Sequence, residues 1–205
     1  DNHGQMIYLN GATTIVNQMT AKNVAVSEVT DGKFTVTISG IEAPTGISKI
    51  SVPIWSDNGW QDDLKWYTAT KASEDAYTVT VDLKDHKYDT GKYYIDVYGT
   101  DSKGKEKFLI GTTTVVEPMQ AKNVEIQKTN ENQFTVKVSG ITAPFGIKEI
   151  LVPVWSDNGW QDDLKWYTAN RKEDGSYEVT IDTKDHNYDT GKYYVDVYGK
   201  DNRGQ

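Results

Sequence analysis

Cysteine is absent from the sequence, so neither a disulfide framework nor a thiolate metal site holds the fold, and the chain relies on burial alone. Basic residues are in the minority. The 22 Lys and Arg stand against 30 Asp and Glu, interspersed, for a formal charge of -8. That balance provides no basic stripe of the kind that neutralises a phosphate backbone, so nucleic acid is not an expected partner. No apolar run approaches the roughly 20 residues that cross a bilayer, so no membrane partner is expected, and Asp1-Asn2-His3-Gly4 does not read as a signal peptide. A targeting segment, if the protein has one, is expected outside this sequence or already removed.

Internal repetition is what the sequence has in abundance. At an offset of one hundred positions, Val52-Pro53-Ile54-Trp55-Ser56-Asp57-Asn58-Gly59-Trp60-Gln61-Asp62-Asp63-Leu64-Lys65-Trp66-Tyr67 superimposes on Val152 to Tyr167, with only Ile54 and Val154 differing. No gap is needed anywhere. The same offset lays Leu9-Asn10-Gly11-Ala12-Thr13-Thr14 on Leu109-Ile110-Gly111-Thr112-Thr113-Thr114, and Asp1 to Gln5 on Asp101 to Lys105. Residues 1–17 therefore read as the C-terminal strand of a preceding repeat, 18–117 as a first complete repeat, and 118–205 as a second repeat lacking its last strand. A longer parent with further copies is expected. Residues 1–17 are expected either to stay unstructured or to pair into the second unit of the same or a neighbouring chain, because a sandwich without its last strand exposes an unpaired edge. Docking of that segment on its own first unit would contradict this.

Each unit reads as all-β. Phe34, Val36 and Ile38 alternate with Thr35, Thr37 and Ser39, and Tyr77, Val79 and Val81 alternate with Thr78, Thr80 and Asp82, the pattern of half-buried antiparallel strands. Adding 21–26, 48–55, 64–70, 92–98 and 106–116 gives about seven strands per unit, which predicts tandem immunoglobulin-like antiparallel β-sandwich modules. Glu117-Pro118 leaves hardly any linker, so the array is expected to be stiff. On one strand Tyr93, Ile95 and Val97 form the core side, while Tyr94, Asp96 and Tyr98 face outward. Ile50, Val52 and Ile54 pointing inward would turn Trp55 outward onto the same sheet face as Tyr94 and Tyr98. A bulge at Pro53, which cannot donate to a ladder, would reverse Trp55.

The stretch Trp55 to Tyr67 packs Trp55, Trp60, Trp66 and Tyr67 among Asp57, Asn58, Gln61, Asp62 and Asp63. Sugar recognition needs flat aromatic surfaces for the apolar side of a ring and nearby carboxylates or amides for the hydroxyls. The candidate ligand-binding residues are Trp55, Trp60, Trp66, Tyr67, Asp57, Asp62, Asp63, Tyr94 and Tyr98. Their counterparts are Trp155, Trp160, Trp166, Tyr167, Asp157, Asp162, Asp163, Tyr194 and Tyr198. Trp60, in a polar loop between Gly59 and Gln61, is the one expected to face solvent. The bland alternative is that Trp55 and Trp66 are core or corner residues and the acids stabilise turns. Asp57, Asp62 and Asp63 match no calcium-loop spacing, and neither metal nor cofactor is expected. His86 and His186 are expected to orient a corner through backbone hydrogen bonds. No nucleophile is nominated beside them, and adjacent Asp62 and Asp63 point apart on an extended chain, so no catalytic residue is expected.

The pattern Val-Pro-Ile-Trp-Ser with Gln-Asp-Asp-Leu-Lys-Trp-Tyr, then Asp-His and Gly-Lys-Tyr-Tyr-Ile-Asp-Val-Tyr-Gly, resembles the Bsp-type repeat (GBS Bsp-like repeat) of streptococcal secreted proteins and murein hydrolases. The resemblance spans both units over nearly their whole length. Trp60 and Trp160 depart from it, standing where the family pattern has only Asn-Gly-Gln-Asp-Asp. The resemblance implies a module secreted to the cell wall or surface of a Gram-positive bacterium, which targets a peptidoglycan-cleaving domain lying outside this sequence.

The expected function is accordingly non-catalytic binding of bacterial cell-wall glycan or peptidoglycan, as the targeting fragment of an autolysin. The alternatives are a structural spacer or stalk, and an adhesin module for host glycans or proteins. Strand-swapped contacts between chains through residues 1–17 are the other expected partnership.

Overall fold

The structure, a computed structural model, describes all residues except 1–3, 5, 7 and 16. The first module consists of two four-stranded antiparallel sheets. One has the order β1 (Asn23–Val26), β2 (Lys33–Ser39), β6 (Tyr77–Asp82), β5 (Thr70–Lys71), and the other β4 (Lys65–Thr68), β3 (Ile47–Ser56), β7 (Gly91–Asp101), β8 (Glu106–Val116). The period-2 alternation decides which side of each strand is inside. Phe34, Val36 and Ile38 from β2, Val79 and Val81 from β6, Ile50, Val52 and Ile54 from β3, and Tyr93, Ile95 and Val97 from β7 interleave as one core. A one-turn 3-10 helix, Leu83–His86, closes the corner between β6 and β7. Its Asp82 carboxylate accepts from the Lys84 N–H at 3.1 Å, and Lys87 ends it in a left-handed conformation.

Pro53 causes no bulge. It holds its regular place opposite Trp66 of β4, and the pairing of β3 with β7 keeps one register from Ser51 through Ser56. Ile54 therefore stays inward and Trp55 points outward.

The second module repeats this plan with β9 (Gln120–Asn130), β10 (Gln133–Thr142), β11 (Glu149–Ser156), β12 (Lys165–Arg171), β13 (Tyr177–Asp182), β14 (Tyr193–Val195) and β15 (Tyr198–Lys200). Here β12 is unbroken and pairs with both β11 and β13, so the two sheets join through it. In place of the continuous β7, two short strands, β14 and β15, pair with β11 and have no partner on their other side among the described residues. Tyr193, Val195 and Val197 are only half-buried, whereas their counterparts Tyr93, Ile95 and Val97 are at 0% exposure beneath β8.

The modules dock directly. Val116, the last residue of β8, is buried in the first core, and Phe145 of the second module packs against that same core. The Phe145 ring meets Tyr88 edge-on at 5.8 Å, the Arg203 guanidinium covers it at 3.6 Å, and the Gly32 N–H donates to the Pro144 carbonyl at 2.7 Å. The equivalent position in the first module is polar Thr45. Within the leading segment, residues 8–15 form no strand, and Tyr8, Leu9 and Ile15 are exposed, while Asn17 lines a hollow with Thr45, Gly99 and Asp101 of the first module. Residues 1–3, 5, 7 and 16 of that segment lie outside the described residues.

Candidate functional site

The loop between β3 and β4 is curled tightly by three successive left-handed residues, Gly59 (φ +74°), Trp60 (+44°) and Gln61 (+55°). Such backbone is costly for a tryptophan and persists only where surrounding contacts enforce it. The enforcing contacts are all present. The Asp63 carboxylate accepts from the Ser56 N–H at 3.0 and 3.1 Å. Ser56 Oγ donates to Asp89 at 2.9 Å, and the Asn58 amide donates to the other Asp89 oxygen at 2.9 Å. Lys87 pairs with Asp62 at 2.5 Å. Gly59 itself stands at φ +74°, a conformation that glycine adopts without strain.

This curl folds Trp60 back over the sheet. Trp55 stacks on Tyr94 at 5.4 Å and 11°, and Trp60 meets Trp55 edge-on at 6.3 Å and Tyr94 at 5.4 Å. Lys92 Nζ sits 4.6 Å over the Tyr94 ring. Trp55 thus faces outward yet is only 8% exposed, because Trp60, itself 60% exposed, roofs it. The second module reproduces the cluster with Trp155, Trp160, Tyr194 and Lys192 at near-identical geometry.

A second aromatic group lies farther along the same face. Trp66 of β4 meets Tyr98 of β7 at 5.4 Å, and Tyr98 meets Phe108 of β8 at 5.5 Å. Trp66 and Phe108 are exposed. Tyr94 and Tyr98 are four residues apart on β7, so the groups are separated by about 13 Å. Asp96 stands midway, beside Gly111 of β8, where a Cβ would come within 2.7 Å of the Asp96 carboxylate. Partial burial raises the Asp96 carboxyl above the usual carboxylate range. Trp55 Nε1 and Ser51 Oγ, on the same side of β3, are buried without a hydrogen-bond partner. In the second module Trp166 and Tyr198 pair at 5.3 Å, with no third ring among the described residues.

Several expected site residues lie elsewhere. Asp63 and Tyr67 belong to the interior. His86, with no exposed surface, is bonded through Nδ1 to Asp63 at 3.1 Å and through Nε2 to the Tyr67 hydroxyl at 2.9 Å. Burial lowers the His86 pKa and raises that of Tyr67, so the imidazole is neutral, donating from Nδ1 and accepting at Nε2. Asp163, His186 and Tyr167 repeat the arrangement. The histidines brace the corner through these side-chain bonds together with the expected backbone ones: His86 and His186 accept at their carbonyls from the Asp89 and Asp189 N–H groups at 2.9 Å, and His186 Nδ1 also lies 3.1 Å from the Asp163 carbonyl oxygen. Asp62 and Asp162 are exposed, Asp62 being paired with Lys87, and Asp57 and Asp157 are exposed beyond the aromatic cluster. Trp55, Trp60, Trp66, Tyr94 and Tyr98 do share one face, as do Trp155, Trp160, Trp166, Tyr194 and Tyr198. Sequence reasoning did not nominate Lys92, Asp96 or Phe108. For Asp96 the signal was available, since strand alternation already set it between Tyr94 and Tyr98.

No curated protein matches the chain. Among solved structures it is similar to a polysaccharide deacetylase from Bacillus cereus at 16% identity, with 49% of this chain and 31% of that chain covered and a TM-score of 0.42. A two-domain fibronectin type III segment of chicken tenascin matches at 12% identity, covering 87% of this chain and 90% of that one, with a TM-score of 0.37. The chain spans about a third of the length of the deacetylase. The model of the GBS Bsp-like repeat matches twice, over residues 23–114 and 123–205, and the chain therefore belongs to the GBS Bsp-like repeat family, as a tandem pair of its β-sandwich modules.

Proposed function

We propose that each module is a non-catalytic binder of bacterial cell-wall glycan, using the outer face of the sheet that contains β3 and β7, and that the tandem targets an attached murein hydrolase to the wall. The observation that carries this reading is the exposed aromatic face itself. Two ring clusters about 13 Å apart flank a partly desolvated carboxylate, and the loop supporting one of them adopts costly backbone to hold Trp60 in place. Rings separated in this way suit a short linear oligosaccharide, whose apolar ring faces stack while Asp96 accepts from a hydroxyl or amide N–H. One such shallow face binds at roughly 1 mM, about 4 kcal/mol, and linking copies raises avidity by roughly 10² to 10⁴ without new contacts.

Titration with soluble peptidoglycan fragments, followed by amide chemical shifts, tests this reading. Shifts confined to Trp60, Trp66, Tyr94, Asp96 and Tyr98 and their neighbours are expected. Shifts absent there, or centred on the opposite sheet, contradict it. The docked junction at Phe145 favours a second reading, a stiff stalk, which expects no shifts with any glycan.

A further inference from the structure

Asp96 differs from the other acids of the first module. Every other carboxylate there that is buried or half-buried has a partner. Asp63 accepts from the Ser56 N–H and His86, and Asp82 from the Lys84 N–H. Asp85 pairs with Lys65, Asp89 accepts from Ser56 and Asn58, and Asp101 accepts from the N–H groups of Lys103 and Lys105. Asp96 is half-buried as well, yet it has neither a hydrogen bond nor an ion pair among the described residues. Burial acts on its carboxyl with no donor or cation to offset it.

The strand registers explain why nothing reaches it. Outer-face positions form rows across the sheet, and the row through Asp96 runs from Trp66 on β4 through Pro53 on β3 to Gly111 on β8. Neither Pro53 nor Gly111 carries a side-chain donor. Along β7 the neighbours on the same face are Tyr94 and Tyr98, whose rings belong to the two aromatic clusters. The carboxylate thus lies between aromatic walls with only proline and glycine at its sides. Ring faces attract cations, and Lys92 Nζ already stands 4.6 Å over the Tyr94 ring. Lys92 forms no ion pair with Asp96, and among the described residues no cation covers the rings of Trp66, Tyr98 or Phe108.

An unpaired, partly desolvated carboxylate rimmed by ring faces fits a protonated amine better than a neutral donor. The ammonium supplies the missing countercharge and a charge-assisted hydrogen bond, and the rings attract the same charge. A hydroxyl or an acetamide N–H supplies the bond without the countercharge. We propose that this face selects hexosamine units whose amino group is free, and that Asp96 is the residue that reads the ammonium. This selection rests on the glycan reading and adds which glycan is preferred, one bearing N-deacetylated sugars. A pyranose stacked on the Trp66 and Tyr98 rings keeps its apolar side on them, while its substituents radiate from its edge. An amine on that edge points toward Asp96, two residues or about 7 Å along β7 from Tyr98, rather than into the aromatic surface.

Titration of the full chain with a glucosamine tetramer and with an N-acetylglucosamine tetramer, at a pH that keeps the amines protonated, tests the proposal. The amide shifts of Tyr94, Asp96 and Tyr98 report on the first module alone. The native chain is expected to bind the free-amine tetramer about tenfold tighter there, the effect of one hydrogen bond to a charged group. Asp96→Asn, which keeps the shape and removes the charge, is expected to erase that preference without lowering the urea midpoint of the first module. Glu74→Gln, which removes an exposed charge between β5 and β6 on the other sheet, keeps the preference. Equal affinity for the two tetramers, or a preference that survives Asp96→Asn, overturns the proposal and leaves the glycan reading standing. Loss of the preference in Glu74→Gln, or a lowered midpoint in Asp96→Asn, overturns it too, by showing bulk charge or a structural role. Equal shifts with glycine methyl ester, an ammonium without a sugar ring, overturn the assignment to an amino sugar. Shifts with neither tetramer remove the glycan reading and this proposal together.

Discussion

Asp63 and His86 meet at 3.1 Å inside the first module, both side chains fully buried, and Asp163 and His186 repeat the contact at 3.1 Å in the second. The aspartate also accepts the Ser56 N–H at the last residue of β3, and the histidine accepts the Tyr67 hydroxyl on β4. One buried link therefore fixes both ends of the loop that raises Trp60. Binding face and core are mechanically connected.

Asp63→Ala leaves the Ser56 N–H and His86 Nδ1 without partners in the interior. Each such group costs about 1–3 kcal/mol, so a loss of about 2–6 kcal/mol is expected in urea unfolding of the first module, with the second module's transition unmoved. A change below about 0.5 kcal/mol, the range of ordinary surface substitutions, would show that the link contributes little.

Acid should weaken the first module before its carboxylates titrate. Burial holds the folded pKa of His86 below its ordinary value of 6.5, against the opposing pull of Asp63 and Asp85. The unfolded chain therefore binds the extra proton first. The stability is fully present above pH 6.5 and is lost as pH falls below that value, by at most about 1.4 kcal/mol per pH unit. The lowered carboxylates, Asp82, Asp101 and Asp182, act in a separate window, contributing above their ordinary 3.8 and losing that contribution as pH falls further. Urea midpoints between pH 7.5 and 5 should fall for the native chain and flatten for His86→Gln. A flat native profile would contradict a neutral buried imidazole.

Phe145→Ala removes the ring clamped between Tyr88, Arg203 and the Gly32 turn. About 3 kcal/mol of packing is at stake, by analogy with buried Phe→Ala changes. Both modules should keep their β-sheet circular dichroism while small-angle scattering shows a broader distribution of maximum dimension. An unchanged distribution would mean that the Glu117-Pro118 connection alone sets the angle.

Trp60→Ala should cost little stability, within about 1 kcal/mol, because the ring is 60% exposed. It should nevertheless alter the near-ultraviolet circular dichroism of the Trp55, Trp60 and Tyr94 cluster and uncover Trp55. Loss of the fold would place Trp60 among the structural residues instead.

Much of the architecture was legible because period-2 alternation is strong in β2, β3, β6 and β7, and because the repeat fixes the register of one module against the other. The outward direction of Trp55 followed from Ile50, Val52 and Ile54 once Pro53 proved to sit in regular register. What alternation does not carry is loop geometry. Three consecutive left-handed residues reverse the chain between Asp57 and Asp63, sending Asp63 inward while Trp60 swings over the sheet. Composition alone made Asp62 and Asp63 look equivalent. Tyr67 likewise reads as part of an aromatic patch, yet it lies one strand position from Trp66 and so faces the other way. Phe145 was visible only as a difference between copies, aromatic where the first repeat has Thr45.

The central claim is that the outer aromatic face binds cell-wall glycan. Co-sedimentation with insoluble sacculi, stripped of teichoic acid, tests it most directly when the native chain is compared with a Trp60→Ala/Trp160→Ala double variant of verified fold. The account predicts that the native chain pellets with the sacculi and that the variant loses at least tenfold in affinity. Equal binding by both proteins, or none by either, would contradict it.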